Sequence, residues 1–398
     1  MPRFDSEGFN PEKRIKNDDR DRSVPEDENY YAKKSFDFDE EDIFDNQDSQ
    51  SVDINNFVFE SDIPQRPTAP KPKGAKKTKS HSKPNGLKIV TALLGVLLIL
   101  FVGVIGFAGS VFSKITFDDN RPNEYISSTD LKSSPKVKNI LLLGVDSRDP
   151  EDDTNSRSDS MMLISVDSEH NCIKMVSFLR DSWVYIPALD KYQRLNAACS
   201  ADGFNGVVDT IEYNFGVDID GYVVADFEMF KVLVDSVGGV EVDVTEQEAD
   251  EVTNHPVRYG NVTLEAGKYK LTGEQALAYC RIRKIDTDFM RAYRQRTVMQ
   301  SILKSVKSAN PVKLLFMASK CAPYIETNLS KTDIMQTGIS ALSCIGTMVE
   351  TRVPFDSTWS YKTIQGNSVI SIDADKNKEM LIDTIYNKTP DEIKQSEG

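Results

Sequence analysis

The chain has 398 residues, 39% hydrophobic and 28% charged, and its 48 basic against 62 acidic side chains leave a net charge of −14. That acidity excludes a general nucleic-acid binder, which needs a clustered cationic face to displace counterions from phosphate. By position the charge is −11 over residues 1–62, +8 over 63–88 and −11 over the rest, so a local cationic pocket stays open.

Residues 1–88 contain few apolar clusters and read as a disordered cytoplasmic tail, ending in a basic juxtamembrane stretch suited to anionic headgroups. Ile89 to Ser113 is a run of 25 residues without a charge. At ~1.5 Å per residue such a helix is about 37 Å long and crosses a hydrocarbon core of roughly 30 Å. Its distance from the N-terminus favours an uncleaved anchor over a signal peptide. The basic flank before it places the N-terminus in the cytoplasm and the C-terminal domain outside the cell membrane, after an extracellular linker over 114–136. Cys172, Cys199, Cys280, Cys321 and Cys344 are too widely spaced for a zinc knuckle or a CxxC motif. A Cys321–Cys344 bridge is weighed against five small buried thiols. His81, His170 and His255 are dispersed, so no histidine triad or metal cage is expected.

Strand signals follow at 137–146, 160–167 and 172–181, with the turn-like DSEHN at 167–171 joining the last two as a hairpin. Counting from its midpoint, Asp159 and Arg180 belong at the same open end, and Asp146 leads into a polar loop that returns to Arg157. Then come a helix near 203–215, a strand at 220–225, a helix over 227–237 and, after Gly238-Gly239, a strand at 240–244. Thr272 and Gln275 have capping-box spacing, which starts a helix expected to end by residue 280, so that Arg281 and Arg283 share a face of an extended segment. Asp288 reads as the cap of a long helix to about 308, with Arg291 and Gln295 on one face of its first turns, near the positive end of the helix dipole. Residues 306–398 read as helices near 311–323, 331–347 and 375–387 that complete the domain. The alternation predicts an α/β domain with a mixed central sheet between helix layers, its main part over 137–305.

Arginine forks bind phosphate oxygens bidentately, and carboxylates hold Mg²⁺ or Mn²⁺. Their convergence suits a pyrophosphate with a divalent metal. Neither GxxxxGK[ST] nor GxGxxG occurs, so nucleotide-binding loops are not indicated. From location, the expected diphosphate is a polyprenyl-linked sugar.

The ordered blocks NILLLGVDSR, RSDSMMLISVD, KMVSFLRDSWVYIP, RLNAA, FGVDIDGYVVADFEMF, VGGVEVDV, LTGEQALAYCRIRK and DFMRAYRQR resemble the LytR–CpsA–Psr family of bacterial cell-envelope proteins over about residues 137–305. The resemblance implies an α-β-α fold and a phosphotransferase that moves teichoic acid or capsular polysaccharide from a polyprenyl-pyrophosphate carrier to peptidoglycan, typically to the C6 hydroxyl of N-acetylmuramic acid. It implies that Asp146 and Asp159 bind the metal, and that Arg157, Arg180, Arg281, Arg283, Arg291 and Gln295 grip the pyrophosphate. It makes Asp288 the candidate base, with Arg180 and Arg281 acting on the reacting phosphate; a purely structural cap remains the other reading of Asp288. Ile285, Asp286, Thr287 and Met290 depart from the family's common glycine or small residues. Apolar candidates for the polyprenyl chain are Phe204, Val207, Val208, Ile211 and Phe215, and the segment around Trp183, Val184 and Ile186. Binding or regulation without turnover, and pyrophosphate hydrolysis without transfer, are the alternatives.

Overall fold

The computed structural model describes residues 106–107, 109–119, 121–145 and 158–397, without the side chains of Asp159 and Glu397. The tail, most of the 89–113 run, Asp146, Arg157 and the side chain of Asp159 lie outside them. Among the described residues no helix is long and apolar enough to cross a membrane.

The first half builds β1 (Thr116–Phe117), β2 (Val137–Val145), β3 (Ser158–Asp167), β4 (Cys172–Phe178), β5 (Ser182–Ile186), β6 (Lys191–Arg194), α1 (Ala197–Phe215), β7 (Gly221–Ala225), α2 (Phe227–Val237) and β8 (Val240–Val244). Next come α3 (Glu246–Thr253), α4 (Pro256–Tyr259), β9 (Gly267–Leu271), α5 (Gly273–Cys280) and α6 (Asp288–Lys307). The chain continues through α7 (Pro311–Cys321), β10 (Ile325–Thr327), α8 (Lys331–Cys344), β11 (Met348–Val353), β12 (Trp359–Ile364), β13 (Asn367–Ile372), α9 (Ala374–Tyr386) and α10 (Pro390–Glu397).

The central sheet is mixed and seven-stranded, in the order β1-β10-β7-β2-β3-β4-β11. The β2/β3, β3/β4 and β7/β10 pairs are antiparallel, whereas β2/β7 and β4/β11 are parallel. On one face Leu141, Leu143 and Leu163 pack against Val207, Ile211 and Phe215 of α1 and Leu381 and Ile385 of α9. On the other, Met162, Ile173 and Met175 meet Cys344 and Ile345 at the end of α8, with Met299 and Leu303 of α6 partly buried beside them. The expected sandwich of a mixed sheet between helices is therefore present.

Local signals explain several boundaries. Asp226 caps α2 by accepting from the Met229 amide, and Gly238 at φ +93 ends it. Gly239 has φ +86, and a Cβ there would stand 2.9 Å from the Leu271 carbonyl oxygen. Thr272 and Gln275 make the reciprocal capping box of α5, which stops at Cys280 as expected. Near α1, the expected start at residue 203 is a kink, where Asp202 and Gly203 leave helical geometry inside a longer 197–215 element.

Two expectations change, and the cysteines follow the buried-thiol reading. The strand drawn to 181 ends at Phe178, because Leu179–Asp181 turn a corner from the central sheet into β5, which belongs to a second sheet ordered β12-β13-β5-β6. The C-terminal part is not helical completion alone. It slots β10 between β1 and β7, adds β11 beside β4, and supplies the β12–β13 hairpin through Gln365 and Gly366, both at positive φ. All five cysteines are free and buried, so no Cys321–Cys344 bridge forms; burial pushes the Cys280 thiol up to about 12 and Cys321 to about 11. Of the apolar chain candidates, Val207, Ile211, Phe215 and Ile186 are fully buried core, which leaves that face filled.

The linker is tied to α1 by Arg121, which pairs with Asp202 and Asp209, and by Asn123, whose Nδ2 donates to Glu212 at 2.8 Å. Burial pushes Asp209 up to about 6 and Glu212 up to about 7. A raised carboxyl binds extra protons in the folded state, so its stabilisation is full below the unfolded value and is lost as pH rises through the folded value. We expect the melting temperature to fall between about pH 4.5 and pH 7 by a component that Glu212→Gln removes. Thermal melts at the two ends of that window check this, and an unchanged pH slope in the variant would exclude Glu212 as its source.

Candidate active site

The hairpin register pairs Met161 with Phe178, so the backbone of Asp159 lies at the end where Arg180 follows β4, as counted from the turn. Arg180 occupies the corner between the two sheets. Facing it is the start of α6, tied to β3 where the Ser160 hydroxyl donates to Gln295 Oε1 at 3.0 Å.

Asp288 is the first residue of α6, and Thr287 holds the N-cap position. The expected cap is thereby corrected: the Asp288 carboxylate is turned to guanidiniums. Its Oδ1 lies 2.7 Å from Arg291 Nη2 and 3.7 Å from Arg180 Nε. Arg291 is buried, one turn into the helix. Arg180 Nε also stands 3.7 Å from Asp181 Oδ2, and Asp181 Oδ1 stands 3.6 Å from Arg194 Nη1. Arg180 is therefore shared between Asp181 and the Asp288–Arg291 pair. At these separations in a partly dry corner the charges interact more strongly than in water.

Residues 281–287 form an irregular loop and not the expected extended strand. Arg281 ends α5 with its guanidinium over the Phe227 ring, 5.0 Å from the centroid, while Ile282 is fully buried and Arg283 is exposed. Arg283 lines a cavity of about 240 Å³ that also touches Asp181 and Asp288. The structure thus joins Arg180, Asp288 and Arg291 by ion pairs, brings Arg283 to the same hollow and Gln295 to the start of β3, and packs Arg281 on α2.

The dense arginine run of 281–296 divides by role. Arg294, 1% exposed, gives Nε to Glu248 Oε1 at 2.6 Å and bonds Asp286 and the Ile282 carbonyl through its other nitrogens. Arg296 Nε reaches Glu350 Oε2 on β11 at 3.3 Å. These two hold the loop and the helix. Sequence reasoning missed Arg194, Asp181 as a cavity wall, and Tyr361 and Ser368 of the second sheet. The only local signal for the last two was Trp359 and Tyr361 at alternating positions before a Gln-Gly turn.

Among the described residues no cluster of three or more His, Cys, Asp or Glu side chains is arranged for a metal. The two aspartates expected to bind one have side chains outside those residues. What the described geometry can do is hold an anion between Arg180 and Arg291 and present the Asp288 carboxylate beside it.

Residues 105–384 match the LytR_cpsA_psr family. The chain is 31% identical over 281 residues to the polyisoprenyl-teichoic acid–peptidoglycan teichoic acid transferase TagU of Bacillus mycoides (strain KBAB4), covering 68% of this chain and 88% of that protein. It is 29% identical over 269 residues to the transferase of the same name from Enterococcus faecalis, covering 66% and 86%. In fold it is similar to TagT bound to LI-WTA, with a TM-score of 0.56, 24% identity and coverage of 69% and 98%. It is also similar to B. subtilis TagV, with a TM-score of 0.52, 27% identity and coverage of 64% and 97%. With that match over most of its length and a relative above 30% identity, the chain belongs to the LytR–CpsA–Psr family.

Proposed function

We propose that the protein is a membrane-anchored extracellular phosphotransferase that moves a glycopolymer of the teichoic acid or capsular type from a polyprenyl-pyrophosphate carrier to peptidoglycan. The observation that carries this reading is the Asp288 carboxylate held 2.7 Å from Arg291 and 3.7 Å from Arg180 at one sheet corner. The names of the TagU relatives point to the same donor and acceptor classes.

In this reading Arg180 and Arg291 bind the pyrophosphate bidentately, with Arg157, Arg281 and Arg283 as further cations and Gln295 bracing the start of β3. A phosphate competes with Asp288 for the two guanidiniums, which leaves the carboxylate beside the phosphorus as an acceptor of a proton. The peptidoglycan hydroxyl gives its proton to Asp288 and its oxygen bonds to the glycan-side phosphorus. The bond from that phosphorus to the bridging oxygen breaks, and polyprenyl phosphate leaves with the electron pair. Asp146 and Asp159 are hard-oxygen donors suited to Mg²⁺ or Mn²⁺, and the Asp159 backbone stands at the Arg180 end of the hairpin. Such an ion, when bound, neutralises charge on the phosphates. The carrier chain is assigned to the sheet face that packs on α6 and α8, where Leu142, Ile164, Met299 and Leu303 are only partly buried.

The test combines the protein with a polyprenyl-pyrophosphoryl oligosaccharide, uncrosslinked peptidoglycan and Mg²⁺. Sugar phosphate on the peptidoglycan is expected, with loss on EDTA treatment and recovery with Mg²⁺ or Mn²⁺. Free sugar phosphate without transfer would replace this reading by hydrolysis, and tight binding with neither product by a receptor role. Protease shaving of intact cells tests topology: the C-terminal domain should be digested.

A further inference from the structure

The cavity of about 240 Å³ beside Asp288 is walled on one side by Asp181, Arg283, Asp286 and Asp288, and on the other by Tyr361, Ser368 and neighbouring strand residues of β13. Each wall carboxylate is already ion-paired, Asp181 with Arg180 and Arg194, Asp286 with Arg294, and Asp288 with Arg180 and Arg291, so the hollow offers no excess charge and suits an uncharged ligand. Asp286 is committed to Arg294. Asp181 Oδ1, however, is buried and accepts no hydrogen bond, its charge met only by Arg194 Nη1 at 3.6 Å, which leaves acceptor capacity at the cavity wall.

Tyr361 is 52% exposed at the rim of this hollow. Its position is set by packing. The ring stands edge-on to Trp359 with centroids 5.1 Å apart, and Trp359 lies 4.5 Å from Phe289 at 33°. Phe289 directly follows Asp288 and carries the Arg352 guanidinium 4.5 Å above its ring. A chain of rings therefore connects Tyr361 to the residue after the candidate base. Aromatic rings whose exposed faces meet a polar, acceptor-rich wall suit an uncharged sugar ring, which offers apolar C–H bonds on a face and hydroxyl donors at its rim.

We infer that this cavity is the acceptor subsite, taking an uncharged pyranose of a glycan strand, with Tyr361 as its platform, Asp181 accepting from a ring hydroxyl, and the attacking hydroxyl directed at Asp288. This rests on the transfer reading above and adds to it the place and chemical class of the acceptor.

The chain has two tryptophans, Trp183 and Trp359, so a Trp183→Phe background leaves Trp359 as the sole indole beside the site. Titrating the full-length detergent-solubilised protein with a peptidoglycan disaccharide whose lactyl carboxyl is capped as an amide should change Trp359 emission saturably, and adding Tyr361→Ala should weaken that binding about tenfold. In turnover assays Tyr361→Ala should raise the acceptor KM by the same factor and the donor KM little, while Tyr361→Phe, which keeps the ring, stays within about threefold of wild type. A silent Trp359, or an unchanged acceptor KM in Tyr361→Ala during active transfer, overturns the subsite. Saturable saccharide binding that depends on Tyr361, in a protein that yields no transfer product, overturns the acceptor role and the transfer reading while leaving a sugar site.

Discussion

Asp288→Asn is expected to lower transfer by about 10²–10⁴-fold, the usual scale for loss of a positioned general base. The substitution keeps the size of the side chain, so the start of α6 and the N-cap at Thr287 should be undisturbed. What it removes is the proton acceptor and one negative charge beside Arg180 and Arg291. Those guanidiniums then meet less competition for phosphate, so donor affinity should hold or rise while turnover collapses. This split separates a base from a binding residue: loss confined to donor KM would show that Asp288 only orients the arginines. Arg180→Ala and Arg291→Ala should instead weaken the donor first, and an unchanged donor affinity in both would remove them from the pyrophosphate grip.

Arg294→Met is expected to cost about 3–5 kcal/mol of stability, because it leaves the buried Glu248 and half-buried Asp286 carboxylates without their cation. Glu248 is 3% exposed and holds the capping box of α3 through Thr245, so the damage reaches beyond one ion pair. Burial already raises the Asp286 carboxyl, and Arg294 is what opposes that rise. Urea unfolding measures the loss. Adding Glu248→Gln and Asp286→Asn should restore a substantial part of it, since the stranded charges are then gone; no recovery would assign the loss to packing of the arginine stem. Because Arg294 also anchors the Ile282 carbonyl, the loop bearing Arg283 loosens, and activity should fall even at temperatures where the variant remains folded.

Much of the frame was legible locally. The β3–β4 hairpin closes over Ser168–Asn171, and a short closed turn fixes every pair beyond it, so Asp159 and Arg180 were placed at one end without any tertiary information. Helix α2 and strand β8 fell at 227–237 and 240–244 because Asp226, Gly238 and Gly239 punctuate the chain in ways other residues tolerate poorly. The same holds for the Thr272 box. The arginine count near α6 was correct as a count and silent about roles. Arg291, Arg294 and Arg296 are neighbours in sequence, yet they face Asp288, Glu248 and Glu350, which come from three different parts of the chain.

The long-range pairings were not legible for a different reason. β10 enters between β1 and β7, and β11 lies parallel to β4 across more than 170 residues of chain, with no turn to set the register. The β12–β13 hairpin becomes a wall of the site only by pairing with β5 beyond the corner at Arg180. By itself, then, the sequence determined the hairpin, the capped helices and the family, and it singled out a set of candidate charged residues, since caps, turns and hairpin registers act over a few bonds. Only the tertiary structure decided which arginines meet Asp288 at the candidate site and which pair elsewhere in the fold, that Asp288 faces guanidiniums while Thr287 takes the cap position, and that Tyr361 lines the same cavity. Those outcomes depend on which distant surfaces bury one another, and burial decides whether a charge is paired for stability or left facing a substrate.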